Sequence, residues 1–347
     1  MTNRILFLII LFFGFKISSS AQILVRNKSV HVGFVYPISS NGVNAGEYTN
    51  VFSLHAIGGY SKSETGFALS GMASVIRDSA WGVQIAGFSN VIQNRAHGVQ
   101  VAGFTNLVKN KTDGVQVAGF FNATGSLQGV QVAGFSNTTM EAKDGVQVAG
   151  FMNKSGNVNT QIAGFINIAR KVKGVQIAGF MNIADTGDYP IGIINIIKHG
   201  EKGIGISVDE TSTALLSFRS GGRIMYGVIG AGYNFKNKDL QLFAWEAGIG
   251  AHIPISYLFR INTEAALVSL DDFKKKGEYY RASLRILPAV HLGDHIELFA
   301  GPTLNYVHYS DDLGKDLVSR YQWSKTTSDN HFQGLYIGVM GGIQILL

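Results

Sequence analysis

The chain predicts an all-β protein, and three observations carry that expectation. A nine-residue unit recurs along the middle of its 347 residues, glycine is abundant while charge is scarce, and the C-terminal part alternates apolar and polar side chains. The 43 glycines are about 12% of the chain against an average near 7%, and the 15% of charged residues compares with about 25% in ordinary soluble domains. With 46% apolar residues the chain can bury a sizeable core, in one large domain or two ordinary ones. Only 5 prolines and no strict every-third glycine exclude collagen, and no run of 18 apolar residues offers a helical membrane span. The absence of cysteine excludes disulfides, thiolate metal sites, thiol nucleophiles and lipid attachment at cysteine.

Residues 1–21 read as a cleaved export signal. Arg4 supplies the positive start, Ile5 to Phe15 the apolar run, and Ser19-Ser20-Ala21 the small residues before the cut, so the mature chain is expected to begin at Gln22. The apolar run is too short for a membrane-spanning helix, which needs about 20 residues. Loss of Arg4 and Lys16 lowers the formal charge from +6 to +4. That excess is spread along the chain, so no nucleic-acid partner is expected. Residues 22–49 hold an N-terminal strand, HVGFVYPI from His31, and a connection.

From 50 to 200 the chain is one unit used roughly ten times. GVQIAGFSN begins at Gly82, GVQVAGFTN at Gly98, GVQVAGFFN at Gly114, GVQVAGFSN at Gly129, GVQVAGFMN at Gly145, TQIAGFIN at Thr160 and GVQIAGFMN at Gly174. Degraded copies surround Phe52, start at Gly66 and end at Asn195. Each unit reads as a strand, with Val99, Val101, Gly103, Thr105 and Leu107 on one face and Gln100, Ala102, Phe104 and Asn106 on the other. Two glycines per unit disfavour a helix. Charges sit in the connections, such as Lys109, Lys111 and Asp113, or Arg170, Lys171 and Lys173.

Two architectures satisfy this pattern. In one, each unit is a rung of a parallel β-solenoid, stacking Gln84, Gln100, Gln116, Gln131 and Gln147 in one ladder and Asn90, Asn106, Asn122 and Asn137 in another. In the other, each unit is one strand of an antiparallel transmembrane barrel. A solenoid needs a second apolar side to its core, which connections such as KNKTD and KSGNVN do not offer. The barrel lacks an aromatic girdle, since Trp81 is the one Trp between 61 and 188 and Tyr is missing there.

Residues 201–347 carry the pattern of outer-membrane barrel strands, at roughly 203–219, 222–235, 239–252, 255–269, 279–292, 295–309 and 332–347. They hold most of the tyrosines, including Tyr226, Tyr233, Tyr280 and Tyr306, with Trp245 and Trp323. Short turns at Ser220-Gly221-Gly222, His252 to Ile255 and Gly293-Asp294 alternate with longer connections at Lys236–Asp239, Asp271–Glu278 and Ser310–Asn330. Counting back through the repeats gives about 18 strands with both ends on the periplasmic side. This parity favours a single barrel of about 18 strands over the alternative, a solenoid followed by an eight-stranded barrel.

The HVGFVYPISSNG opening, the tandem GVQVAGF-x-N units, their decay into IGIINII and the closing FAGPTLNYV strand together resemble a family of uncharacterised Bacteroidetes outer-membrane proteins, which share their surface repeat with spirochaete surface proteins. The resemblance covers nearly all of the mature chain. It implies outer-membrane or cell-surface location and brings no activity and no site residues.

His308-Tyr309-Ser310 resembles the His-x-Ser pair of outer-membrane lipid A deacylases, which makes a lipid-modifying hydrolase a distant alternative. That family follows the Ser with Asn, and Asp311 stands here. Histidines 55, 97, 199, 291 and 295 form no ligand spacing beside a carboxylate, so no metal and no cofactor is expected. Gly230-Ala231-Gly232 and Gly248-Ile249-Gly250 lie in strands with no helix to follow, and read as packing glycines. Asn122, Asn137 and Asn153 match a glycosylation acceptor in form, but the repeat accounts for them. Lys274-Lys275-Lys276 is a solvated loop that could meet lipopolysaccharide phosphates. No catalytic residue is expected. The gross functions left are a weakly selective pore and a surface-exposed binding or structural repeat protein, with outer-membrane lipid as the partner.

Overall fold

A computed structural model describes residues 26–236, 241–274, 277–327 and 331–347. The expected signal segment, 1–21, lies outside the described residues. The described residues are all-β, 74% strand with almost no helix. The chain takes the alternative architecture, a parallel solenoid of about nine turns followed by an eight-stranded antiparallel barrel. Like residues pair with like, Gln100 with Gln116, Gln116 with Gln131, Asn122 with Asn137, all in parallel register. The single barrel of about 18 strands is thereby overturned.

The polar connections mislead because this solenoid needs little apolar material to close. Gln100, Ala102, Asn106 and Val108 point inward from one coil, and the connection contributes a single further buried side chain. Down the stack that position holds Ala80, Ala96, Thr112, Leu127, Ala142, Val158 and Val172. KNKTD supplies Thr112, and KSGNVN supplies Val158 together with Ser155 in the register of Val108, while the remaining residues of these two connections are exposed or half-buried.

The amide ladders fill the rest of the interior. Each Asn donates from Nδ2 to the Oδ1 of the next Asn, as from Asn106 to Asn122 at 2.9 Å and from Asn122 to Asn137 at 2.9 Å. The same nitrogen reaches a main-chain carbonyl of the next coil, Val132 O at 2.7 Å for Asn122. Such mutual satisfaction is what lets fully buried amides stand in a core.

Phe104 departs from the face expected of it. The chain bends at Gly103, and Phe104 turns out of the interior. The corner requires glycine for close approach: a Cβ on Gly103 would lie 2.0 Å from the carbonyl oxygen of Gly87, and one on Gly119 2.1 Å from that of Gly103. Outside the corner the rings of Phe88, Phe104, Phe120, Phe135, Phe151, Phe165 and Phe180 stack in one column, with centroids 4.8 to 5.1 Å apart.

The solenoid begins earlier than the clear repeats, at the strand Arg26–Val35, which pairs in parallel with Tyr48–Ser61. Its other end is closed by the barrel. Asn195 N donates to Ser220 Oγ at 3.2 Å, Met225 N to Asp188 O at 3.0 Å, and Arg223 makes two hydrogen bonds of 2.9 Å to the Asp188 carboxylate.

The barrel strands are β1 (Lys202–Asp209), β2 (Thr213–Gly221), β3 (Met225–Asn234), β4 (Leu242–Pro254), β5 (Phe259–Asp271), β6 (Tyr279–Leu292), β7 (Ile296–Ser310) and β8 (His331–Leu346). Each pairs antiparallel with the next, and β1 pairs with β8 to close the wall. The segment expected as one strand over 203–219 is two, separated by a turn at Glu210–Ser212. A short strand, Trp323–Thr326, pairs with β8 beyond the end of β1.

Candidate functional site

The barrel has its polarity reversed relative to a water-soluble core. Ile204, Ile206, Leu216, Leu267, Leu284, Ile286, Ile337, Val339 and Ile343 all face outward and exposed. Inside, four arginines, Arg219, Arg260, Arg281 and Arg285, meet four carboxylates, Asp209, Glu246, Glu264 and Glu297. Arg285 Nη1 lies 2.6 Å from Glu246 and 3.0 Å from Glu264, which also takes Arg219 Nε at 2.8 Å and the Tyr226 hydroxyl at 3.1 Å. Glu297 accepts from Asn262 at 2.8 Å and Gln344 at 2.7 Å. Eight strands leave room only for side chains, and these fill it. The wide lumen lined by Gln and Asn, on which the pore expectation rested, is absent from the described residues, because those rows are the solenoid's closed interior.

The glycine pairs make space for this network. A Cβ on Gly230 would meet Glu246 Oε2 at 2.9 Å, and one on Gly250 would enter the Tyr226 ring. Sequence reasoning passed over the network itself. Its signal was there: single charges at Arg219 and Glu246, and the pairs Arg260 with Glu264 and Arg281 with Arg285 four residues apart, hence on one face of otherwise largely apolar strands.

The other singled-out residues fall apart from one another. His308 points outward and stacks on His331, 5.5 Å between centroids, while Ser310 Oγ accepts from Glu278 N at 3.0 Å. His97 is on an exposed connection 3.5 Å from Asp113, and His291 bonds Glu297 at 2.8 Å. His199 and His295 are exposed. Among the described residues no group of three or more His, Asp or Glu is placed to hold a metal ion. Asn122, Asn137 and Asn153 are 0% exposed, so none is open to a glycosyl group. Lys274 is exposed at the rim away from the solenoid, and Lys275 and Lys276 lie outside the described residues.

His55 belongs to a buried polar cluster in the first coils, where the repeat has decayed. His31 stands in the Gln register and His55 in the Ala register, with their Nε2 atoms 3.5 Å apart. Gly59 in the Asn register leaves the room that His55 uses. Asn50 Nδ2 lies 3.4 Å from His31 Nδ1 and donates to Glu64 Oε1 at 3.1 Å, and Ser53 Oγ donates to Glu64 Oε2 at 2.8 Å.

Burial, helped by His55 and Lys28, pulls the His31 imidazole down to about 4, and burial lowers His55 as well. Burial raises the Glu64 carboxyl against the hydrogen bonds of Asn50, Ser61 and Ser53. A base lowered in the folded state gives stability that is complete above its unfolded value near 6.5 and lost as pH falls toward 4. Glu64 works in the opposite sense, its stabilising protonated form being lost as pH rises. His31→Asn keeps an acceptor for Asn50 and leaves Glu64 in place. It is expected to remove up to about 3 kcal/mol of acid-side destabilisation between pH 6.5 and 4. Urea unfolding at both pH values, for wild type and variant, measures this, and an unchanged pH slope would refute the assignment.

The fold and this site define a repeat protein: a β-solenoid seated on a charge-filled eight-stranded barrel. No protein-family model, curated protein or solved structure matches the chain.

Proposed function

We propose that this is an outer-membrane protein in which the barrel is a lipid-embedded anchor and the solenoid a rigid binding or structural surface, with no catalysis. The observation that carries this reading is the reversed polarity of the barrel: an apolar outer wall has no partner in water, while the paired charges inside need none. The export signal read in residues 1–21 and the resemblance to Bacteroidetes outer-membrane repeat proteins agree with it. Outer-membrane lipid is then the first partner, and lipopolysaccharide phosphates a second at the Lys274 rim. A filled interior argues against passage of solutes, so planar-bilayer recordings should give no steady open-channel current.

The test is fractionation with gel migration. The mature chain, starting at Gln22, is expected in the outer-membrane fraction and to migrate differently before and after boiling. Leu284 faces outward near the middle of β6, so Leu284→Arg should cost roughly 2–4 kcal/mol of folding in lipid. Recovery of the protein in the soluble fraction, or a Leu284→Arg variant that folds into lipid as well as wild type, would sink the anchor.

A further inference from the structure

The two rims of the barrel differ, and the solenoid is seated on one of them. At that rim lie the entry to β1, the connections 222–224, 255–258 and 293–295, and the end of β8 at Leu346. These connections run three, four and three residues. The opposite rim carries the turn 210–212 and the connections 235–241, 272–278 and 311–330, the last three being seven, seven and twenty residues long. The strand Trp323–Thr326 also raises the wall there, beyond the end of β1. The solenoid makes its hydrogen bonds to the barrel at the first rim. Its last coil covers the 222–225 turn, held by Asn195 on Ser220 and by Asp188 on Met225 and Arg223.

Outer-membrane barrels keep short turns in the periplasm and place long connections outside. Resting on the membrane reading of the barrel, we infer that the solenoid projects into the periplasm. Its partner is then a periplasmic component and not an extracellular ligand. The outside meets only the opposite rim. This reverses the surface display expected from the repeats.

The chain contains no cysteine, so single reporters can be placed cleanly. Lys143 is exposed on a solenoid connection, Asp294 on a short turn and Lys315 on the long connection. Lys143→Cys, Asp294→Cys and Lys315→Cys are each treated with a membrane-impermeant maleimide on intact cells and again after the outer membrane is permeabilised. Lys315→Cys is expected to label on intact cells, and the other two only after permeabilisation. Labelling of Lys143→Cys on intact cells, in protein recovered from the outer membrane, overturns the orientation and leaves the anchor standing. Recovery of all three variants in the soluble fraction overturns both.

Discussion

Asn122→Asp is expected to unfold the solenoid at its centre, at a cost of about 4 kcal/mol. Asn122 accepts from Asn106 and donates to Asn137 Oδ1 and to Val132 O, and it is fully buried. Aspartate keeps the acceptor and turns both donations into oxygen facing oxygen, in a place where a charge has no cation to meet. Gln100→Arg should be similarly damaging, because Gln100 is also 0% exposed and stacks on Gln84. The outward neighbours give the control. Val101→Arg alters the outward side of the strand and should cost about 1 kcal/mol or less. Phe120→Ser breaks the exposed column at the corner, where it stacks on Phe104 and Phe135, and should cost about 1–2 kcal/mol. Urea denaturation of the full chain, followed by circular dichroism, ranks the four. Equal tolerance of Asn122→Asp and Val101→Arg would mean that the amide ladder is wet.

The strands, their inward Gln and Asn, and the division near residue 200 could all be read from the sequence. The pairing direction was harder, because uncharged alternating strands with charged ends suit a lipid-spanning strand and a solenoid rung equally. Strand-turn parity was the deciding weight for the single barrel, and it depended on boundaries such as 203–219, where a three-residue turn hides inside one apparent strand.

A better signal lay in the repeat. Identical residues meet along a whole strand only in parallel register; antiparallel neighbours would bring Gln100 opposite Gln116 only if the strand centre fell there. A unit that repeats Gln and Asn six positions apart, coil after coil, selects parallel stacking. The direction of Phe104 was hidden for another reason: simple alternation assumes a straight strand, and the Gly103 corner breaks it.

The same one-dimensional logic makes deletion the sharpest test of the solenoid. Removing Gly114–Gln128 joins Asp113 to Gly129, which are neighbours in register, since Gln128 pairs with Asp113 and Gly129 with Gly114. Gln131 then lies on Gln100, Asn137 on Asn106, and Val132 O takes the hydrogen bond that Val117 O receives from Asn106. One coil is lost from a stack whose stability is close to a sum over coils, so cooperative unfolding should survive with a modest drop in Tm. Removing only Gly114–Phe121 joins Asp113 to Asn122 and shifts every later coil by half a turn of the solenoid. The Val-Gln-Val-Ala strand then lies over the Asn side of its neighbour, the corner glycines leave their column, and the amide ladders end with Asn106 facing Val130 and Gln100 facing Thr124. That variant should show no cooperative solenoid transition. The barrel is separately closed by β1 and β8, so in lipid both variants should keep heat-modifiable migration. A half-coil deletion that unfolds as cooperatively as the full-coil one would show that register between coils is not what holds the stack together.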